Sequence, residues 1–267
     1  MAAALRLGDG EPMSLPLASG SLPDRLGAMV EAMVISDRWA THRRETPDLA
    51  DRGWRGALLA ASDLCAQGQG HAPALWRPLL QEVTSPAAVT LVTLPYLWQQ
   101  VDAYGHHRPI LEGWVAELGL APAAAATCLD LFQVFCAGIV EAQWGGDRQW
   151  LAVVEGESDQ DWGDGLSAAI ALVAQSQAQW ATALGLAERR GWSGASLALV
   201  GLLVGWAGGR ASLSATLRQR WLIAPQPVAT DPWQGLEASE LDRFRADLYG
   251  RWAGVGAGAG RDLGCRL

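Results

Sequence analysis

The chain has 267 residues, a formal net charge of −8 and a pI near 5.0; half of its residues are apolar and 18% are charged. That length can bury a substantial core, and the charge fraction excludes a disordered chain. The acidic balance argues against nucleic-acid binding, because phosphate contacts need clustered cations. Lysine and asparagine are absent, so arginine supplies every side-chain cation except histidine. A GC-rich coding sequence accounts for that bias, and we assign no function to it.

Residues 1–22 read as a flexible leader of Gly, Pro and Ser, without the continuous apolar stretch of a signal peptide. Asp24 then caps a helix reaching about Ser36, with Leu26, Met29, Val30, Met33 and Val34 along one face. The densest basic group, His42-Arg43-Arg44, sits beside Glu45 and Asp48 and reads as a solvated turn, not a phosphate cradle. Trp54–Cys65 forms a second helix, followed by a glycine-rich turn at Gln67–Gly70. Pro78–Val83, Ala87–Val101 and Ile110–Leu118 follow, and Pro95 should kink or break the segment it interrupts. His106 and His107 fall with Tyr104 in a surface loop.

A long helix runs from about Pro122 to Glu141. The apolar run Ala121–Val140 within it matches a bilayer in length, but Asp130 at its middle makes insertion costly. It therefore reads, like the shorter Ser196–Ala207, as a helix buried in a soluble protein. Cys65, Cys128, Cys136 and Cys265 make neither a C-x-x-C pair nor a zinc spacing. Cys128 and Cys136 should share one helix face as small core residues, and reduced thiols place the chain in the cytoplasm.

Gly145-Gly146-Asp147 reads as a helix C-terminus followed by an N-cap. The acidic stretch Glu155–Gly165 fails as a calcium loop: counted from Asp159, its sixth and twelfth places hold Asp164 and Ile170. It reads as a solvated loop whose Asp164 caps the next helix. Residues 166–221 then give helix, turn, helix, short loop and a final helix ending in an aromatic-basic cluster. Gly191-Trp192-Ser193-Gly194-Ala195 is one residue short of the G-x-S-x-G nucleophile elbow, and a helix, not a strand, precedes it.

A break follows Trp221. Residues 222–252 comprise a proline-rich linker and a last helix carrying Leu236, Leu241, Phe244, Leu248 and Trp252, free to fold back or to dock a partner; 253–267 form a flexible tail. Strand signals are few, so the fold class is all-α.

The order of elements over 166–221 resembles the C-terminal part of the ADP-ribosylglycohydrolase family, all-helical hydrolases that use two magnesium ions. In that family a G-G-D-T-D-T run caps a buried small-residue helix of the type A-A-I-A-G-A-L-L-G-A. Here Gly201-Leu202-Leu203-Val204-Gly205 stands in the place of G-A-L-L-G. The resemblance spans roughly residues 20–221 and implies a compact multi-helix orthogonal bundle over 23–221 with a short C-terminal helical extension. It looks most like the diverged relatives found in cyanobacteria, which lack the usual metal residues.

Counted back from Gly201, the family's two metal-binding aspartates fall on Trp192 and Gly194. Mg²⁺ needs hard oxygen ligands, and neither residue supplies one from its side chain. The degenerate turn Gly191, Trp192, Ser193, Gly194 therefore reads as helix entry. An N-terminal R-G-A-L-L-G-L-A-V-G-D-A-L-G pattern is echoed at Arg25–Arg38 and at Arg55–Ala66. There Asp37 comes one position late and Asp63 two positions early, and each position is a rotation of about 100° on a helix. The T-D-D-T motif has no counterpart.

The expectation is a degenerate relative without metal cofactor or dinuclear hydrolase activity, retained for binding a protein partner or for assembly. One alternative is a magnesium-dependent hydrolase built on Asp37, Asp63 and Asp130. The other is a sensor that binds ADP-ribose or a nucleotide without cleaving it. A few of the fourteen tryptophans are expected at a groove that stacks a purine, although packing and interface roles suit most of them.

Overall fold

A computed structural model describes residues 21–43, 53–102, 104–144, 165–224, 233 and 238–253. These residues contain helices and no strand: α1 (Leu22–Arg43), α2 (Trp54–Ala66), α3 (Pro73–Leu80), α4 (Pro86–Gln100), α5 (Arg108–Leu118) and α6 (Pro122–Trp144). They continue with α7 (Leu166–Gln175), α8 (Trp180–Arg189), α9 (Gly194–Gly208), α10 (Ala215–Arg218) and α11 (Ala238–Trp252). A 3-10 turn, Gly209–Ser212, precedes α10, and a π-helical turn, Gln219–Ile223, follows it.

The architecture is organised around α9. Every one of its residues from Gly194 to Gly208 is buried, so it has no polar face to turn to water. Ser193 starts it, its hydroxyl accepting the Ser196 amide at 3.1 Å. Its most extensive neighbour is α1, and α7, α8 and α4 cover the remaining sides. A Cβ on Gly201 would strike the Ser36 hydroxyl and the Ala32 carbonyl oxygen, and one on Gly205 would lie 2.6 Å from the Met29 amide nitrogen. The four-residue spacing of Gly201 and Gly205 thus meets the same spacing of Ala28, Ala32 and Ser36.

Helix α1 is buried along most of its length and carries polar residues into the core, where each needs a partner. The Trp180 indole N–H donates to Ser36 at 2.9 Å. Arg55 donates through Nε and a terminal nitrogen to the two oxygens of Asp37, both at 2.6 Å. Glu31 receives Arg210, Arg218 and Arg245 at 3.2, 2.8 and 3.0 Å. One buried carboxylate therefore ties the 3-10 turn, α10 and α11 to α1. α1 also runs seven residues past the expected end at Ser36, and Asp24 accepts the Arg210 amide at 3.3 Å.

Pro95 does not break α4, which continues from Pro86 to Gln100. A proline removes one helical donor and crowds the preceding turn, at a cost of about 3 kcal/mol. Residues 87–98 are all buried, and that apolar burial outweighs the loss. Cys128 and Cys136 are both buried on α6, and the Cys128 sulfur lies 3.3 Å from the Thr93 hydroxyl. Gly138 on α6 leaves room for Trp206, whose ring meets Trp98 and Phe135 edge-on at 5.5 and 5.2 Å.

Helix α11 folds back onto α1 and α4. Leu241, Phe244 and Leu248 are buried there, and the Trp252 indole donates to the Val101 carbonyl at 3.0 Å. Two apolar helical stretches match a bilayer in length, Pro122–Ile139 and Gly194–Ser212, of which 56% and 89% lie inside the protein. Gly145-Gly146-Asp147, the acidic stretch with Asp164, the leader 1–20, most of the linker, Cys265 and the tail beyond Ala253 lie outside the described residues.

Candidate functional site

The turn between α8 and α9 is built by a reversal of the chain. Gly191 adopts φ +74°, which a residue without Cβ accepts freely, and the Trp192 amide donates to the Ala187 carbonyl at 3.3 Å. Ser193 is extended and caps α9. This geometry turns the Trp192 indole inward, where 4% of the residue remains exposed, and buries Gly194. The Ser193 hydroxyl is engaged by Ser196 at 3.0 Å, and helix α8 leads into the turn, so no strand–elbow–helix presents it as a nucleophile.

The three carboxylates that could have formed another metal site are dispersed. Asp37 is fully buried and faces Arg55. Asp63 is exposed near the end of α2, and Asp130 is exposed on α6, where partial desolvation by its surroundings raises its pKa against the opposing charge of Arg108. Among the described residues, no three His, Cys, Asp or Glu side chains converge as a ligand set.

His106 and His107 are in the α4–α5 loop, as their sequence context suggested. Its shape comes from Asp102, whose carboxylate accepts the Tyr104 amide at 2.7 Å and the His106 amide at 3.1 Å. Partial burial pushes the Asp102 carboxyl upward, but these backbone hydrogen bonds and the nearby His106 together hold it below its ordinary value.

A cleft of about 250 Å³ opens where the end of α1 meets the start of α8 and the π-helical turn; it is lined by Trp39, His42, Arg43, Trp180, Arg220 and Trp221, with Thr216 and Leu217 at one side. Trp39 and Trp180 pack edge-to-face at 5.8 Å, and His42 and Trp221 do so at 5.5 Å. The Arg43 guanidinium lies 5.1 Å from the Trp39 ring centre and pairs with Glu188 at 2.9 Å. The Arg220 guanidinium lies 5.0 Å from the centre of Trp221. Beneath them, Arg38 donates to the Trp221 carbonyl at 2.7 Å, fixing the π-helical turn from inside the core.

His42 and Arg43 are therefore solvated, as expected, but they form the last turn of α1 and line a cleft. Two signals in the sequence point there. Trp39, His42 and Arg43 stand at i, i+3 and i+4, one face of a helix, and Arg218-Gln219-Arg220-Trp221 places cations against an indole. What the sequence does not carry is the packing of α1 on α9, which brings residues 180 positions apart to one opening.

No family model matches this chain, and neither the curated proteins nor the solved structures searched contain a match.

Proposed function

We propose that this protein is a degenerate ADP-ribosylglycohydrolase-like protein that works by binding a small molecule or a protein partner and not by two-magnesium hydrolysis. The supporting observation is the buried Trp192 indole in the turn where the resemblance would put a metal-binding aspartate. An indole offers a divalent ion no oxygen, and Gly194 offers only its backbone. Expelling the ring to admit two hydrated cations would expose a large apolar surface and leave the cations short of carboxylates. Asp37 is no substitute, because its carboxylate is committed to a bidentate pair with Arg55.

The test is release of ADP-ribose from a modified protein and from a small-molecule glycoside, with and without Mg²⁺. The expected result is turnover no faster than a metal-free blank. Metal-dependent release abolished by Asp63→Asn or Asp130→Asn, exposed positions outside the buried Asp37–Arg55 pair, would establish the alternative, a hydrolase using a rearranged carboxylate set. A second reading, a sensor that holds a nucleotide without cleaving it, draws support from the Trp-lined cleft. The chain's acidity argues against a nucleic-acid partner, and the burial of α9 suits a core helix better than a membrane span.

A further inference from the structure

We infer that the cleft between the end of α1 and the π-helical turn is a binding site for a small organic anion carrying one planar aromatic ring. The inference goes beyond the reading of the Trp192 turn and stands or falls separately. Trp180 opens α8, a helix of ten residues and so about 15 Å long, and Trp192 lies in the turn beyond its other end at Arg189.

The walls and the rim specify different parts of the ligand. Trp39, Trp180, Trp221 and Leu217 supply aromatic and aliphatic surface, which suits a flat ring entering edge-on or stacked. His42, Arg43 and Arg220 supply guanidinium and imidazole donors at the mouth, and no carboxylate is among the described lining residues. Glu188 offsets part of the Arg43 charge, and the donors that remain at the mouth disfavour a quaternary ammonium, the usual guest of an aromatic cage. The rim matches a carboxylate or phosphate, which guanidinium groups bind in a planar fork.

Size narrows the class. A space of about 250 Å³ lies just below the usual range for drug-sized ligand sites, about 300–1,000 Å³, leaving room for a ring and one anionic group but not for a dinucleotide. A nucleic-acid strand is excluded by the protein's charge of −8, which would repel a polyanion over any longer contact.

The site is also prearranged. Each arginine at the mouth is held over an indole face, so less side-chain freedom is lost when an anion arrives. The backbone that presents Arg220 and Trp221 is π-helical, a rare geometry that recurs at functional sites, and the buried Arg38 stabilises it. Arg43 already holds Glu188, and a ligand anion competes with that surface pair, which is worth little in water.

Titration calorimetry on the full chain tests this with five probes: adenosine monophosphate, indole-3-acetate, adenosine, ribose 5-phosphate and inorganic phosphate. The expected result is one-site saturation by a ring-bearing anion, with the uncharged nucleoside and the ringless phosphates weaker by about tenfold or more. Preference between adenosine monophosphate and indole-3-acetate separates a nucleotide source from an aryl acid. The double substitution Arg43→Gln/Arg220→Gln should weaken binding by about tenfold or more while the melting transition is retained. Thr216→Trp, which fills the mouth from an exposed position, should do the same if the arginine variant unfolds. The inference is overturned by any of three results: no saturation by either ring-bearing anion at millimolar concentration, equal binding of inorganic phosphate, or unchanged affinity in both variants.

Discussion

Gly205 of α9 lies against Ala28 of α1 so closely that no side chain fits between the two backbones. A Cβ there would meet the Ala28 carbonyl carbon and the Met29 nitrogen, main-chain atoms that cannot rotate aside. Interiors packed at this density answer an added methyl with strain.

Gly205→Ala should therefore destabilise the fold by roughly 1–3 kcal/mol or more. Gly113→Ala on α5 makes the contrast, since an added Cβ there meets open space and a helix gains from losing glycine's freedom. That variant should gain about 0.5–1 kcal/mol. Thermal and denaturant unfolding of the two variants measures both signs.

The buried Asp37–Arg55 pair is costly to break and cheap to replace whole. Asp37→Ala removes the bidentate carboxylate from a guanidinium that is nearly closed to water, with an expected loss of about 3–5 kcal/mol. Asp37→Leu combined with Arg55→Met should recover most of that loss. A double-mutant cycle by urea unfolding gives the coupling, and purely additive losses would show that the pair has no special role.

Burial pushes the Cys136 thiol up to about 11 and raises that of Cys128 as well. Folding thus disfavours both thiolates. For Cys136 the sign follows directly: its contribution to stability is intact below the ordinary thiol value and is lost as pH rises toward about 11. At pH 8 a thiol reagent followed by peptide mass spectrometry should leave both residues unlabelled until the protein is unfolded.

Asp102 carries the opposite sign. Its carboxyl is held below the usual value, so the contribution of its backbone hydrogen bonds is present above the unfolded carboxyl's pKa. It is lost as pH falls through the lower, folded value. Asp102→Ala should accelerate amide exchange at Tyr104 and His106 near neutral pH while leaving the α1–α9 core protected.

How much of this could be read beforehand differs by element. The all-helical class followed from the scarcity of strand signals, and the segments Trp54–Cys65, Ile110–Leu118 and Pro122 onward coincide with α2, α5 and α6. The break allowed for at Pro95 is not there, because the donor it removes is a local loss while the burial that overrides it is tertiary. Asp24 misled for a similar reason: its carboxylate serves Arg210, 186 positions away. The Trp192 turn was legible as helix entry from Gly191 and Ser193. The cleft was not, since its two halves carry separate local signals and only the approach of α1 to α9 unites them. Nor does any pattern in the sequence mark Glu31 as the partner of three arginines drawn from three elements.

The most direct measurement is anomalous scattering from crystals soaked in Mn²⁺, which substitutes for Mg²⁺ at carboxylate sites. With the indole of Trp192 filling the turn, the density beside Ser193 and Gly194 should contain no metal peak. Two manganese peaks a few ångströms apart there, with Trp192 displaced, would contradict the account and restore a dinuclear hydrolase.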